Sequence, residues 1–523
     1  MEVGDELTAE ITAQVEEWST NSTACTTIHL YNPTTNTTTA FFQPEFTYPI
    51  FGEEEAIFGY RDLSIDITFA AHNLRPHVKI SHGKKFQAHG EVRPTDVKAA
   101  LADFLPESAF GGGGKKDVLR DDAANEFVPP GRRIAEYSRD GINHEIWCAS
   151  LADSAARELL ENMQILIPLF IEGGSMLQLE HDWSTKRWKL FLLYRLDHRP
   201  MPKASPYSLV GYGTSYRVST LPSRADPLKE DEDAYTEKSL DKLVSSADST
   251  SSPLDLPSRE RLSQFLILPP YQGAGHGQQL YNTMYSHLTI AANVHEFTVE
   301  DPNEAFDDLR DICDLQHLRA KVPEFAALRL NTELKATDLP ATSDIPLDLI
   351  LSLIPETRTQ LQRKTKLTDR QLNRLIEMHT LSFIPASNRS RSRITRKLKA
   401  SNEFDRAFYL WRLMAKQRLY LHNRDLLAQV ERVERVEKLE GVLEGVVEGY
   451  VALLERVEKM GGRSEDADGE REVKGGAVAN SIPKGRKRRV VDEDDDEEDE
   501  RDESEMLVDQ VPTMNGKKRV RMS

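Results

Sequence analysis

The residues best suited to chemistry lie between Arg261 and Asp311. Arg261-Leu-Ser-Gln-Phe-Leu-Ile-Leu268 is an apolar, strand-like run that meets Pro269-Pro270. Gln272-Gly273-Ala274-Gly275-His276-Gly277 follows, and Leu280, Tyr281, Met284 and Leu288 then recur at helical spacing. Glycines let main-chain N–H groups come close to a ligand. The first turn of a helix adds unpaired donors and about half a positive charge. Strand, glycine turn and helix in that order make an anion site suited to phosphate. A nucleoside-triphosphate loop would need Gly-Lys-Ser or Gly-Lys-Thr after the glycines, and neither is present. A dinucleotide fingerprint would need a glycine at 278, where the chain has Gln278. The spacing that does occur is Gln-x-x-Gly-x-Gly, on Gln272, Gly275 and Gly277.

That spacing resembles the pyrophosphate loop of the GNAT acetyltransferase superfamily. The next block narrows the resemblance. Val294-His-Glu-Phe-Thr-Val299 reads as a second strand and runs into Glu300-Asp301-Pro302-Asn303-Glu304-Ala305-Phe306-Asp307-Asp308-Leu309-Arg310-Asp311. Together the two blocks resemble the catalytic subunit of type B histone acetyltransferases, in a fungal-like form with an extended C-terminal tail. Phe46-Thr-Tyr-Pro-Ile-Phe-Gly-Glu-Glu-Glu-Ala-Ile-Phe-Gly-Tyr60 is similar to that family's N-terminal domain. Leu169-Phe-Ile-Glu172 and Val210-Gly-Tyr212 fall where the family has them, and Gln371-Leu-Asn-Arg-Leu-Ile-Glu-Met378 is similar to its C-terminal helices. The resemblance implies acetyl-CoA as co-substrate and no metal. It also implies a lysine in the tail of newly made, free histone H4 as acceptor, and a WD-repeat histone chaperone as partner.

Acetyl transfer to lysine needs a base. A lysine's ordinary pKa is about 10.4, so only about one in 2,500 is neutral at pH 7, a deficit of about 4.6 kcal/mol. A carboxylate beside the thioester can take the proton directly or through water. Glu300 ends an apolar strand where such a group is needed, and the resemblance implies that it is the base. Glu172 follows a very apolar segment, a setting that raises a carboxyl's pKa, and the resemblance implicates it in proton removal. Asp301 is the third carboxylate. Pro302 favours extended backbone before it, which would turn Asp301 to the face opposite Glu300 and leave it a structural part. The resemblance further implies pantetheine contacts from the main chain of Phe265, Leu266 and Ile267. Gln272, Gly273, Ala274, Gly275, His276, Gly277 and Gln278 would wrap the pyrophosphate. His276 reads as a helix-start residue rather than a base, and Asn303 as either a cap or a cofactor contact, the resemblance implying the contact. For the peptide it implies acidic contacts at Glu53, Glu54 and Glu55 and a wall at Tyr216, Arg217 and Val218.

The elements around these residues suggest an α+β protein in four zones. Residues 1–180 mix strands and helices, with alternating strands at Ala56–Tyr60 and Leu63–Phe69 and one helical run from Leu151 to Phe170. Residues 181–340 hold the GNAT-like catalytic domain with a splayed mixed sheet, Trp188–Tyr194 beside Ser208–Tyr212, and a polar insertion at 221–256 that reads as disordered. Residues 341–462 are helical. Thr368-Asp-Arg-Gln371 resembles a capping box, and one long helix from about Glu403 carries a seam of Val436, Leu439, Leu443, Val446, Tyr450, Leu453 and Val457. Glycines 441, 445 and 449 weaken that helix, which points to packing on the chain's own body. Residues 463–523 form a charged tail expected to be disordered, and the cluster Lys484–Arg489 reads as a nuclear localisation signal. Cytoplasm and nucleus are the expected compartments.

Composition excludes several classes. The formal net charge of -18 disfavours direct nucleic-acid binding and suits a basic protein partner. No apolar stretch reaches the roughly 18 residues of a membrane span, and the acidic start lacks the apolar run of a secretory signal. Cys25, Cys148 and Cys313 stand too far apart to suggest a disulfide framework or a zinc site. The four glycines Gly111–Gly114 have the flanks of a flexible loop, not of a phosphate cradle. Two other functions compete: a non-catalytic acidic histone-binding module, which has no need of the Gln272–Gly277 turn, and an acetyltransferase for small amines, which has no need of the long N-terminal zone.

Overall fold

The computed structural model describes residues 16–90, 92–111, 119–179, 181–197, 203–220, 253–334, 347–351, 355–394 and 402–465. Most of the 221–256 insertion, residues 112–114 of the glycine run, the basic cluster at 484–489 and the rest of the tail lie outside the described residues. Two compact units form: residues 1–328 with 354–379, and residues 329–353 with 380–523.

The first unit is α+β. Its strands are β1 (Ser19–Asn21), β2 (Thr26–Asn32), β3 (Thr37–Phe42), β4 (Ala56–Phe58), β5 (Tyr60–Arg61), β6 (Ser64–Ala70), β7 (Pro76–Ser81), β8 (Lys84–Lys85), β9 (Arg132–Arg139), β10 (Ile142–Ser150), β11 (Trp188–Leu196), β12 (Tyr207–Ser219), β13 (Ser258–Ile267) and β14 (Val294–Val299). One sheet has the order β3-β2-β6-β7; in β6 the alternating Ile65, Ile67 and Phe69 are buried, as a strand with one face on a core requires. The larger sheet is curled and mixed, with the order β14-β13-β12-β11-β10-β9. Only β13 and β14 pair in parallel; β11 and β12 are antiparallel neighbours, with Leu192 opposite Tyr212. Residues on both sides of position 180 supply this sheet and share one core, which includes Ile28, Ile67, Leu160, Leu166, Leu192 and Leu266.

The helical run expected between Leu151 and Phe170 is two helices, α1 (Ser154–Met163) and α2 (Leu166–Phe170). Pro168 explains the break. It has no N–H for the carbonyl of Gln164, and its ring would crowd that carbonyl in a continuous helix. The N–H of Ile167 bonds to Gln164 O instead, at 3.0 Å. Within α2, Pro168 sits in the first turn, where a missing N–H leaves nothing unpaired.

Three further elements complete the unit's catalytic half: α3 (His276–Leu288), α4 (Glu304–Lys321) and the pair α5 (Pro355–Thr365) and α6 (Asp369–Leu381). The link between α5 and α6 joins the sheet. Phe297 N donates to Lys366 O at 2.6 Å, Phe297 and Leu367 form a parallel bridge, and Lys366 Nζ donates to Thr289 O and Ala291 O. Thr368 caps α6 by accepting from Gln371 N at 3.3 Å. The other half of the expected capping box is not made. Gln371 Nε2 donates instead to Asp311 (2.9 Å) and Asp314 (3.0 Å) on α4, two buried carboxylates that outcompete a local main-chain partner. Tyr281 OH also donates to Asp314, and Arg374 pairs with Asp311. Burial pushes the Asp314 carboxyl up to about 6 against the pull of Arg310.

In the second unit, the single helix expected from Glu403 is α7 (Glu403–His422), a short turn at Arg424–Leu427, and α8 (Arg432–Glu465). Leu443, Tyr450, Leu453 and Val457 of the heptad seam are buried, whereas Val436 is exposed. Trp411 of α7 lies edge-on to Tyr450 with centroids 6.3 Å apart, and Arg412 and Lys416 both pair with Glu440. The seam therefore packs on the chain's own preceding helix. Among the described residues, no helix is long and apolar enough to cross a membrane.

The clamp between α4 and α6 predicts a contrast in stability. Gln371→Ala leaves two buried carboxylates without a shared donor and should cost about 2 kcal/mol. Lys364→Ala removes an exposed pair with Glu324 and should stay within about 0.5 kcal/mol. Urea unfolding of both variants checks this; equal midpoints would refute the clamp.

Candidate active site

β13 is the spine of the site. It pairs with β14 only from Ser258 to Leu262, which lies opposite Val299, but it stays paired with β12 as far as Ile267, opposite Gly211. Past Leu262, the edge that faced β14 carries no strand among the described residues. Leu268 N donates to Val210 O at 2.9 Å and Gln264 N to Thr214 Oγ1 at 3.2 Å, so the even-numbered main chain turns toward β12. By alternation Leu266 does the same, and Phe265 and Ile267 turn their main-chain groups to the open edge. Ile267 O already accepts from Gln272 Nε2 at 2.9 Å, which ties the glycine turn to the strand.

At one end of this edge stands Glu300. Its N–H still donates to Leu262 O at 2.9 Å, the last main-chain tie between the diverging strands. The chain then leaves. Asp301 has φ +33°, not the extended backbone expected before Pro302, and Asn303 caps α4 by accepting from Phe306 N at 2.9 Å. The reversal from strand to helix within three residues overrides the pre-proline preference, and aspartate is among the side chains that tolerate a positive φ. The Asn303 side-chain oxygen is engaged as the cap, the first of its two sequence readings. Glu300 itself is exposed, and both its oxygens are held: Ser263 Oγ donates to Oε2 at 2.6 Å and Arg261 Nη1 to Oε1 at 3.3 Å. Sequence reasoning singles out neither partner. The signal is present, since residues 261 and 263 share one face of a strand.

Glu172 is exposed in the turn after α2, not enclosed by the apolar residues before it. Ser175 O of the same turn accepts from Gln264 Nε2 at 2.9 Å, which brings that turn beside β13 next to Ser263.

At the other end of the edge, Gly273 and Gly275 adopt φ +71° and +78°, a region that disfavours side chains, and Gly275 is the N-cap of α3. A Cβ on Gly275 would lie 2.0 Å from Arg139 Nη1 on β9. That nitrogen is buried and has no hydrogen-bond partner. A guanidinium at the positive end of a helix is electrostatically opposed. An anion lying between them satisfies both, so the turn and Arg139 fit a bound phosphate. Gln272, Gly273 and Ala274 are exposed and accessible, and Gly277 and Gln278 lie in the first turn of α3.

His276, the first residue of α3, is buried. Tyr137 OH lies 2.7 Å from its Nδ1, and its ring is 4.6 Å from that of His144, which stacks on Tyr137. Burial first, then the neighbouring His144 and Arg139, hold His276 down to about 4, so it is neutral at pH 7. No local spacing marks Tyr137, Arg139 and His144 as partners of this turn; the curl of the sheet brings β9 and β10 to it.

The residues expected to meet a peptide divide. Glu53 and Glu54 are exposed. Glu55 is tied inward at φ +47°. Its carboxylate accepts from Thr47 N, Thr47 Oγ1 and Thr23 Oγ1, and these bonds, the main-chain one first, hold it below the usual range. Tyr216 packs against Trp188 with centroids 4.8 Å apart. Arg217 turns inward: its Nε donates to the fully buried Glu260 at 2.6 Å, beside Lys189, and Nη1 donates to Leu254 O. Val218 is half-buried. Among the described residues, no group of three or more His, Cys, Asp or Glu is placed to hold a metal ion.

Residues 18–172 match the family model described as Histone acetyl transferase HAT1 N-terminus. The chain is 40% identical over 437 residues to a histone acetyltransferase type B catalytic subunit of Aspergillus oryzae, covering 80% of this chain and 81% of that protein. Proteins of the same name from Gibberella zeae and Pyricularia oryzae are 37% and 39% identical, over 85% and 86% of this chain and 92% and 93% of their own lengths.

The neutral His276 sets a pH dependence. Its folded value of about 4 lies below the ordinary 6.5, so the unfolded chain binds the extra proton between those limits. Its contribution to stability is complete above about 6.5 and is lost as the pH falls toward 4. His276→Asn should flatten the decline over that window, by at most about 1.4 kcal/mol per pH unit. Denaturant midpoints at several pH values for both proteins measure this, and parallel curves would contradict it.

Proposed function

This chain belongs to the family of histone acetyltransferase type B catalytic subunits, and from that premise we propose how it acts: it transfers acetyl from acetyl-CoA to a lysine in the tail of free histone H4, with Glu300 as general base. It is a histone acetyltransferase. The observation that carries the finer reading is the open edge of β13, which has a carboxylate at one end and a glycine turn with an unpartnered arginine at the other.

The residues divide the work as follows. Main-chain groups of Phe265 and Ile267 meet the amides of the pantetheine arm, as an added strand would. The N–H groups from Gln272 to Gln278, the start of α3 and Arg139 hold the diphosphate. Acetyl-CoA supplies an activated acyl group. Glu300 takes a proton from the lysine ammonium, directly or through a water. The freed amine then bonds to the acetyl carbon, the C–S bond breaks, and CoA leaves as the thiol. A main-chain N–H on the open edge is suited to polarise the carbonyl. Glu172, exposed beside Ser175, is a second proton acceptor on the lysine's path; Asp301, in the reversal after β14, shapes the backbone. Glu53 and Glu54 face a basic peptide, and Tyr216 on Trp188 walls its path. The charge of -18 suits such a substrate and a histone-carrying WD-repeat partner. A substrate of newly made histones fits a protein of both cytoplasm and nucleus.

Incubation of the protein with free core histones and labelled acetyl-CoA, followed by mass spectrometry, tests the substrate; label absent from H4 would refute it. Glu300→Gln should lower kcat by about 10²-fold or more while acetyl-CoA still binds. Undiminished turnover would remove Glu300 as the base. Arg139→Gln should weaken acetyl-CoA binding by about tenfold and leave kcat at saturation near the parent value. Unchanged affinity would show that Arg139 does not touch the phosphates.

A further inference from the structure

We propose that Ser263, with Arg261 in support, is a positioning residue that fixes the Glu300 carboxylate in its proton-accepting orientation. The inference rests on reading Glu300 as the base.

Glu300 occupies an awkward place for a base. Its main chain has one remaining tie to β13, the bond to Leu262 O, and the backbone turns away at Asp301 with φ +33°. Its side chain is 41% exposed, so packing does not select a rotamer. A glutamate in that position would sample many orientations, and holding it in one costs about 1–2 kcal/mol of side-chain entropy. β13 supplies what packing does not. Arg261 and Ser263 stand two residues apart on one face of the strand, just where the parallel pairing with β14 ends at Leu262 and Val299. Each reaches a different oxygen, Ser263 at 2.6 Å and Arg261 at 3.3 Å.

The geometry leaves the base able to work. A carboxylate oxygen has two acceptor positions. One donor on each oxygen therefore orients the group and leaves each oxygen a free position for the lysine proton. The two donors are unequal. Arg261 is 39% exposed and its contact is longer, so solvent screens it. Ser263 makes the short bond from a half-buried site on the strand, and a hydroxyl bonded to a charged acceptor is among the stronger kinds. Ser263 touches neither the lysine nor the acetyl group in this scheme; it acts only through Glu300.

The test is a double-mutant cycle on the full-length chain with acetyl-CoA and an H4 tail peptide. Ser263→Ala should lower kcat by about tenfold, with KM for both substrates within about twofold of the parent. Ser263→Thr keeps the hydroxyl and should retain most of the rate. In the Glu300→Gln background, Ser263→Ala should remove less than about twofold more, because the two residues act as a unit. Arg261→Met, a change on an exposed side chain, should lower kcat about twofold to threefold and should also have no effect behind Glu300→Gln. It keeps the test decisive if Ser263→Ala folds poorly. Full activity of Ser263→Ala beside a crippled Glu300→Gln would overturn the positioning role and leave the base standing. Full activity of both would overturn the base and the positioning role together. The same loss from Ser263→Ala in either background would show that Ser263 acts independently of Glu300, which also overturns the proposal.

Discussion

The site depends on a parallel strand pair that separates halfway. β13 and β14 are joined from Ser258 to Leu262 and then diverge, while β12 holds the rest of β13 in place. An unpaired strand edge is ordinarily a liability, because its free N–H and C=O groups recruit other chains. Here the exposed stretch is short, and its far end is occupied by Gln272 reaching back to Ile267 O. The same divergence sets the distance between the two chemical centres. Glu300 sits where the strands part, and the glycine turn sits where β13 ends. A ligand that lies along the edge, with its reactive group at the fork and its phosphates at the turn, satisfies the main-chain groups on the way.

The second centre depends on the curl of the sheet. In a flat sheet β9 would stand four strands away from β13. Curling brings its last residue, Arg139, against the first residue of α3. The result would be unfavourable in isolation, since a cation faces a helix N-terminus and a buried nitrogen lacks an acceptor. His276 stays neutral beside them, so no second positive charge is added. Gly275 is required twice over, by its positive φ and by the guanidinium that fills the space of a side chain. The local strain makes sense for a site built around an anion.

Local chemistry is legible in the sequence, and long-range geometry is not. The Gln272–Gly277 turn can be read directly because a glycine turn between strand and helix is defined by neighbours in the chain. The break at Gln164 is written in Pro168 four residues on, but the run of apolar residues masks it. At Asp301 a dipeptide preference misleads, because the strand has to reverse into α4 there. Glu55 and Arg217 have the right types for peptide contacts, yet Thr47 and the buried Glu260 claim their polar groups. Sequence gives a side chain's capacity to bond, and only the fold shows whether that capacity is already used. Arg139, Tyr137 and His144 lie beyond any local pattern, more than 130 residues before the turn they meet.

The position of Glu300 is set by more than the two strands beside it. β14 would be an outer strand, free to shift on the side away from β13. Residues 366–367 close that side through the bond from Phe297 N to Lys366 O, and Lys366 Nζ fastens the same link to the end of α3. Behind it, Gln371 and Arg374 of α6 lock onto Asp311 and Asp314 of α4, the helix that Glu300 leads into. The carboxylate is thus fixed at its tip by Ser263 and at its root by a segment more than sixty residues later in the chain. This explains why α5 and most of α6 fold with the catalytic unit and not with the helices that follow them. Held only by five residues of parallel pairing, a strand end could not keep an exposed base in register with a ligand lying along its neighbour.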